Sequence, residues 1–245
     1  MQCLILAGGL GTRIKSVAGD TPKALLPVGP QTFIDWQLQW LKLMGVSEVV
    51  LALGHGGEEI QNHVEEKQTA ASYPQVNYSF DGPQLLGTGG AIKRAQNLLS
   101  KDFVVAYGDS FLFLNIGALF NSHLQEKKPL TFSVLKNRNQ GDRSNVFWDG
   151  HRVKYDKFHP SPDMEYIDYG LSIINKDYFL KSTPPGAFDL ADFLTTTCDK
   201  NQAHVFEAKI FFQEIGSPEG YRNFCKMMEG SKFDLKALAH THSLL

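Results

Sequence analysis

Through the first half of the chain, short apolar runs alternate with stretches of helical periodicity, and this constrains the fold more than any other feature. Cys3–Ala7 is uninterruptedly apolar and reads as a buried strand. Phe33–Met44 follows a helical period. Phe33, Gln37, Trp40 and Met44 share one face, Ile34, Leu38 and Leu41 its neighbour, and Gly45 supplies a stop. A strand at Glu48–Leu53, a helix near Glu58–Glu66, a strand at Gln75–Ser79, a helix at Gly89–Leu99 and a strand at Phe103–Tyr107 continue the pattern. Repeated β-α-β order sets strands side by side in parallel with helices on the faces. The expected fold is therefore α/β and Rossmann-like, with a mostly parallel central sheet.

The second half is less regular. Strand-like segments at Leu130–Leu135, Asn145–Trp148, Arg152–Tyr155 and Ile167–Ile174, separated by polar turns, suggest a mixed or antiparallel extension of the sheet. A helix near Leu190–Thr197, a strand at Ile210–Ile215 and a helix over Pro218–Met228 follow. The last dozen or so residues read as a loose tail or a short docking helix. With no internal repeat or linker in 245 residues, one domain spanning 1–245 is expected. Lys and Arg total 24 against 26 Asp and Glu, so a nucleic-acid partner has no bulk electrostatic support. Cys3, Cys198 and Cys225 are widely spaced with no CxxC pair, which reads as reduced thiols in a cytosolic protein. The opening apolar run is too short for a signal peptide or membrane helix. A soluble cytoplasmic protein without a membrane partner is expected.

The first strand runs into Leu6-Ala7-Gly8-Gly9-Leu10-Gly11-Thr12-Arg13. Glycines just past a strand let the backbone turn sharply and approach a ligand with its N–H groups exposed. In open α/β sheets such a turn faces the crevice where ligands bind. Phosphate suits it, and the planar fork of Arg13 can grip a di- or triphosphate bidentately. The string is neither GxxxxGK[ST] nor GxGxxG, which weighs against a P-loop and a dinucleotide oxidoreductase. From the glycines alone, a tight turn with a surface Arg fits equally well. Thr21-Pro22-Lys23 adds a second cation on a backbone fixed by proline, ten residues beyond Arg13.

The combined string, L-A-G-G-x-G-T-R, eight residues, then P-K, resembles the signature of the sugar nucleotidyltransferase family, whose nucleotide-diphospho-sugar transferase fold matches the expected α/β order. The resemblance implies that the backbone from Leu6 and Ala7 through Gly8, Gly9, Gly11 and Thr12 cradles the nucleotide. Arg13 would stabilise departing pyrophosphate, and Lys23 would contact the phosphate under attack. Residues 1–110 or so become the nucleotide-binding half, and about 111–230 the sugar-phosphate half.

Five further stretches extend the resemblance. Leu86-Gly87-Thr88-Gly89-Gly90 opens a helix; the residues alone suit either an anion at the helix end or close packing, and the family uses the turn at the nucleotide base and sugar. Asp109 follows a strand through Gly108 and could be a turn aspartate or a magnesium ligand, the latter being its role in the family. Glu214-Ile215-Gly216-Ser217-Pro218-Glu219 matches a metal-binding motif that usually carries Asp at the position of Glu214. Asp156, Lys157, Asp168 and Gly170 look like sugar-phosphate elements: Lys157 for the phosphate, Asp156 or Asp168 for hydroxyls, Gly170 leaving room for the ring. Phe158 replaces the usual proline after that lysine. His151, His159 and His204 have no evident Ser or Cys partner at a turn.

The implied reaction is Mg²⁺-dependent displacement at the α-phosphorus of an NTP by a sugar 1-phosphate, supplying nucleotide sugars for cell-surface polysaccharide. Within the family the chain looks most like guanylyltransferases for heptose or mannose 1-phosphate. Uridylyl and thymidylyl transfer, phosphocholine cytidylyl transfer, and a non-catalytic nucleotide-sugar-binding subunit are the alternatives. Trp36, Trp40 and Trp148 do not declare the aromatic cage that phosphocholine calls for.

Overall fold

Gln2–Leu6 (β1) is an interior strand of the sheet, buried along nearly its whole length. The computed structural model describes residues 1–67, 73–139, 142–229 and 234–243. After β1 come α1 (Lys15–Ala18), the hairpin β2 (Pro27–Val28) and β3 (Gln31–Thr32), α2 (Phe33–Leu43), β4 (Glu48–Leu53), α3 (Gly57–Lys67) and β5 (Gln75–Phe80). Then follow α4 (Gly87–Arg94), β6 (Asp102–Tyr107), β7 (Ser110–Phe111), α5 (Ile116–Glu126), β8 (Leu130–Lys136), β9 (Val146–Trp148) and β10 (Val153–Tyr155). The chain continues through β11 (Tyr166–Asn175), α6 (Lys176–Ser182), α7 (Leu190–Asp199), β12 (Ala203–Ala208), β13 (Gln213–Glu214), α8 (Pro218–Glu229) and α9 (Leu235–Ser243).

β6, β1, β4 and β5 are successive parallel neighbours, the arrangement expected of the first half. β11 pairs antiparallel with β6 and β8, touches β9 at Tyr166, and so begins the mixed extension. Alternate side chains of β1 enter opposite layers, as strand geometry requires. Cys3 and Ile5 join the core beneath α2, α3, α8 and α9, and Leu4 joins the one beneath α4 and α7. Phe33, Ile34 and Leu38 of α2 are fully buried, each contributing about 1.5–3 kcal/mol of apolar transfer.

The start of α2 is fixed by a capping box between Thr32 and Asp35, and Gly45, at φ 85°, ends the helix. Asp35 is wholly buried. Its carboxylate accepts Thr32 N–H (2.9 Å), Tyr73 O–H (2.8 Å) and Lys67 Nζ (2.7 Å), with His63 Nε2 at 3.0 Å. Burial alone would raise its pKa, but Lys67 and the other donors win and hold it at about 2.

Two expectations need correction. The strand expected at Ile210–Ile215 shrinks to Gln213–Glu214, which pairs off the main sheet with β7, and Ile210 and Phe211 stay exposed. The main-sheet strand in that region is β12, parallel to β8 and hidden in the less apolar Ala203–Ala208. The helix expected at Gly89–Leu99 is α4, beginning at Gly87 and ending at Arg94, followed by a separate short turn at Gln96–Leu98. The helices α5 and α6 were not anticipated. The chain's end docks as α9 through buried Leu235 and Ala239, while residues 244–245 lie outside the described residues. Among the described residues no helix is long and apolar enough to cross a membrane.

Candidate active site

Three neighbouring parallel strands end at the same edge, and glycine lets their exits crowd together. A Cβ on Gly54 would lie 2.6 Å from Gly8 O, and one on Gly108 would lie 2.7 Å from Leu6 O. The exits of β1, β4 and β6 thereby form the floor of a cavity of about 230 Å³. Leu6, Ala7, Gly8, Gly9 and Lys23 line it together with Gly87, Thr88 and Asp109. Gly11 turns the chain at φ 63°, and its bare α-carbon receives the stem of Lys23, since a Cβ there would sit 3.0 Å from Lys23 Cγ. Thr12 begins the short helical turn that carries Arg13, whose side chain is exposed.

The charged groups converge beside this cavity. Lys23 Nζ pairs with Asp109 Oδ2 at 2.7 Å, both side chains being about a fifth to a quarter exposed (19% and 24%). The ribbon of β7 and β13 sets Glu214 opposite Ser110, and Ile215 N–H donates to Asp109 O at 2.9 Å. A Cβ built on Gly216 would lie 3.0 Å from Glu214 Oε2, 3.1 Å from an Arg13 guanidinium nitrogen and 3.2 Å from Asp109 Oδ2. Residues from three distant stretches therefore border one small space.

Among the described residues no group of three or more His, Cys, Asp or Glu assembles that could hold a metal. Asp109 and Glu214 form a pair instead. A pair suits a cation such as Mg²⁺, which takes one or two carboxylates and completes its shell with phosphate and water oxygens. Glu214 also braces the cap of α8: Ser217 N–H donates to Oε2 at 3.0 Å and the Ser217 hydroxyl donates to Oε1, while that hydroxyl accepts Gly220 N–H at 3.0 Å. Its longer side chain thus reaches both the helix start and the space above Gly216.

The second glycine turn is organised by the chain segment before α7. Gly89 and Gly90 N–H both donate to Phe188 O (3.0 and 3.3 Å), and Phe188 N–H donates to Leu86 O (3.0 Å). Two of the N–H groups at the amino end of α4 are therefore engaged by protein. Cβ atoms on Gly87, Gly89 and Gly90 would come within 2.6, 2.1 and 2.7 Å of that segment, so the glycines serve close packing here. The Thr88 hydroxyl donates to Asp189 Oδ1 at 3.1 Å and accepts Leu190 N–H at 2.7 Å.

On the other side, Lys157 Nζ meets Asp189 Oδ2 at 2.7 Å. Burial works against the Asp189 carboxylate, but Lys157, Ala191 N–H and Thr88 together hold its pKa below the usual range. Asp168 lies where the pairing of β11 with β8 shifts register, and Gly170 N–H donates to its Oδ1 at 3.0 Å. Desolvation pushes the Asp168 carboxyl up to about 6, against that hydrogen bond and the charge of Lys157. Gly170 has φ 91°, and its open side is filled by Tyr107, whose Cδ2 would lie 3.1 Å from a Cβ. Tyr107 lines the cavity from the end of β6. Asp156 is engaged in its own turn, accepting Phe158 and His159 N–H at 2.9 and 2.7 Å. His204 does meet a serine, Ser122, at 2.9 Å, but at the start of β12, the sheet edge opposite the cavity.

Sequence reasoning missed Asp189, Tyr107 and Asp81. The Asp81 carboxyl borders the cavity beside Leu85 and His55, accepts Leu86 N–H at 3.2 Å, and is raised in pKa chiefly by burial. A position just past the end of β5 was the available signal for Asp81. Asp189, just before the helix at Leu190, carries only the signature of an ordinary cap.

Residues 2–145 match the nucleotidyl transferase family model. The D-glycero-alpha-D-manno-heptose 1-phosphate guanylyltransferase of Campylobacter jejuni is 30% identical over 226 residues, covering 91% of this chain and 98% of that protein. The mannose-1-phosphate guanyltransferase of Gibberella zeae is 28% identical over 232 residues, covering 90% of this chain and 62% of that protein. Among solved structures, HddC from Yersinia pseudotuberculosis matches with a TM-score of 0.77 at 28% identity, covering 93% of this chain and 99% of that one; the same protein has also been solved complexed with GMP-PN.

Proposed function

This chain belongs to the nucleotidyl transferase family and is a sugar-1-phosphate nucleotidyltransferase; we propose that it joins guanylate from GTP to heptose or mannose 1-phosphate, releasing pyrophosphate. The observation that carries the reading is the convergence of Arg13, Lys23, Asp109 and Glu214 around one space beside the glycine-rich turn.

An oxygen of the sugar phosphate attacks the α-phosphorus, a new P–O bond forms, and the bond to the β-phosphate oxygen breaks with pyrophosphate taking the electron pair. The attacking phosphate has a second pKa of about 6, so at neutral pH it is already mostly dianionic and needs no strong general base. The demand is neutralisation and in-line placement of two repelling anions. Arg13 grips the leaving pyrophosphate, Lys23 faces the α-phosphate, and Lys157 takes the incoming phosphate. Asp109 and Glu214 are the residues that would hold Mg²⁺, which supplies charge neutralisation on phosphate oxygens when bound.

Asp81 supports guanine. The Watson–Crick edge of guanine offers two adjacent N–H donors to a carboxylate, whereas uracil and thymine offer one N–H flanked by two carbonyls. The product would be an activated sugar for cell-surface polysaccharide, made in the cytoplasm where GTP is available.

A non-catalytic reading draws on one observation, that both carboxylate oxygens of Glu214 are engaged by Ser217. A pyrophosphate-release screen decides between them, crossing each NTP with heptose, mannose and glucose 1-phosphates and phosphocholine, with and without Mg²⁺. GTP with heptose or mannose 1-phosphate is expected to be fastest. Release from UTP with glucose 1-phosphate instead would overturn the substrate assignment. NTP binding with no release from any pair would overturn the activity.

A further inference from the structure

Lys157 is an exposed lysine on a flexible stem, and such a side chain ordinarily samples many rotamers in water. Here it is restrained twice. Its ammonium meets Asp189 Oδ2 at 2.7 Å and lies 5.6 Å from the centre of the Phe158 ring, within cation–π range. Asp189 is itself fixed, because its other oxygen accepts the Thr88 hydroxyl at 3.1 Å and Ala191 N–H at 2.9 Å. Thr88 in turn lines the cavity on the nucleotide side. An unbroken chain of polar contacts therefore runs from the wall of the nucleotide cavity to the cation on the opposite side.

We propose that Asp189 is a positioning residue for the sugar phosphate: it holds the Lys157 ammonium in place for the incoming phosphate and is itself held by Thr88. An ammonium has three donors, so one bond to Asp189 leaves two for phosphate oxygens. The inference rests on the proposed function, in which Lys157 receives the sugar phosphate. It also gives Thr88 a task different from direct nucleotide binding, since the single hydroxyl proton is committed to Asp189 and Leu190 N–H occupies an acceptor position.

The variants separate these roles. Asp189→Asn keeps Oδ1 as the acceptor for Thr88 and for the cap of α7, and removes the charge that faces Lys157. Thr88→Val preserves shape and deletes the hydroxyl. Steady-state KM and kcat are measured for both substrates, with GTP and mannose 1-phosphate or whichever pair the wild type uses, alongside denaturation midpoints. Asp189→Asn is expected to raise the sugar-phosphate KM on the order of tenfold, the low end for a hydrogen bond to a charged group, with the NTP KM within about twofold. Thr88→Val should move the same constant in the same direction, and Asp189→Glu should recover part of the loss. A sugar-phosphate KM unchanged in Asp189→Asn, or a Thr88→Val effect confined to the NTP KM, overturns the proposal. A wild type that turns over no pair overturns the function itself, and the inference with it.

Discussion

Gly216→Ala separates the chemistry of the site from its folding. Gly216 is not among the residues with positive φ, so alanine can adopt its backbone without strain. The added methyl would lie 3.0 Å from Glu214 Oε2, 3.1 Å from an Arg13 nitrogen and 3.2 Å from Asp109 Oδ2. All three neighbours are side-chain tips that can withdraw by a few tenths of an ångström. Replacing glycine restricts the unfolded chain and contributes about 0.4–1 kcal/mol, roughly offsetting the tight contacts. Net stability should shift by less than about 1 kcal/mol, or about 2–4 °C in Tm for a chain of this size. The site has no such tolerance. Mg²⁺ requires oxygens at about 2.0–2.1 Å in near-octahedral geometry, whereas carbon needs about 3.5–4 Å from its neighbours. Under the proposed assignment, a methyl between the two carboxylates and the guanidinium excludes a cation shared by both carboxylates and displaces Arg13 from the pyrophosphate grip proposed for it. Loss of one well-placed charge stabiliser costs on the order of 10²–10³ in rate. Pyrophosphate release across a Mg²⁺ titration, paired with chemical denaturation, tests this. A Gly216→Ala enzyme with wild-type turnover and unchanged Mg²⁺ dependence would refute the idea that these groups act on one shared space.

Arg13→Ala and Lys23→Ala should each lose about 10²–10³ in kcat/KM while keeping a cooperative unfolding transition; near-normal turnover in either removes it from the catalytic set. Asp168 ionises near pH 6 in the folded protein but near 3.9 when unfolded, so the fold binds the extra proton between those values. Wild-type stability should therefore decline as pH rises from about 4 to 6, and Asp168→Asn should flatten that decline while raising the sugar-phosphate KM, as Tm against pH and steady-state kinetics would show. Asp35 behaves oppositely: held at about 2, its contribution is present above about pH 4 and fades as pH falls toward 2. Asp35→Ala should cost about 3 kcal/mol at neutral pH by urea denaturation, the low end for breaking a buried pair because Lys67 is 41% exposed; a cost under about 1 kcal/mol would mean the network rearranges freely.

The parallel half of the fold was legible because its strands are continuous apolar runs and its helices keep a clean period. The antiparallel half was not. Ile210-Phe211-Phe212 has the composition of a strand yet leaves two of its residues exposed, while Ala203–Ala208, with His204 and Glu207 in it, enters the sheet because β8 lies open beside it. The site divides the same way. The turn after β1 and the Gly-Asp after β6 announce themselves locally, since a strand exit bearing glycine can do little but turn. The pairing of Glu214 with Asp109 depends on a two-stranded ribbon too short to show a pattern.

Glycine is where local reading reaches its limit. A glycine past a strand or at a helix start reports that something approaches the backbone closely, but the approaching group is a tertiary fact. At Gly8 and Gly108 it is the neighbouring strand exit, which frames the cavity. At Gly87, Gly89 and Gly90 it is the segment around Phe188, about 100 residues later in the chain, and that segment takes up the N–H groups of Gly89 and Gly90. Because Asp189 arrives on that same segment, close packing at the second turn is also what delivers the carboxylate to Lys157 and Thr88, 32 and 101 residues away. Packing and positioning are thus one event at this turn, and a substitution at Gly90, where a Cβ would meet Gly186 O at 2.7 Å, should disturb the sugar-phosphate side before the nucleotide side.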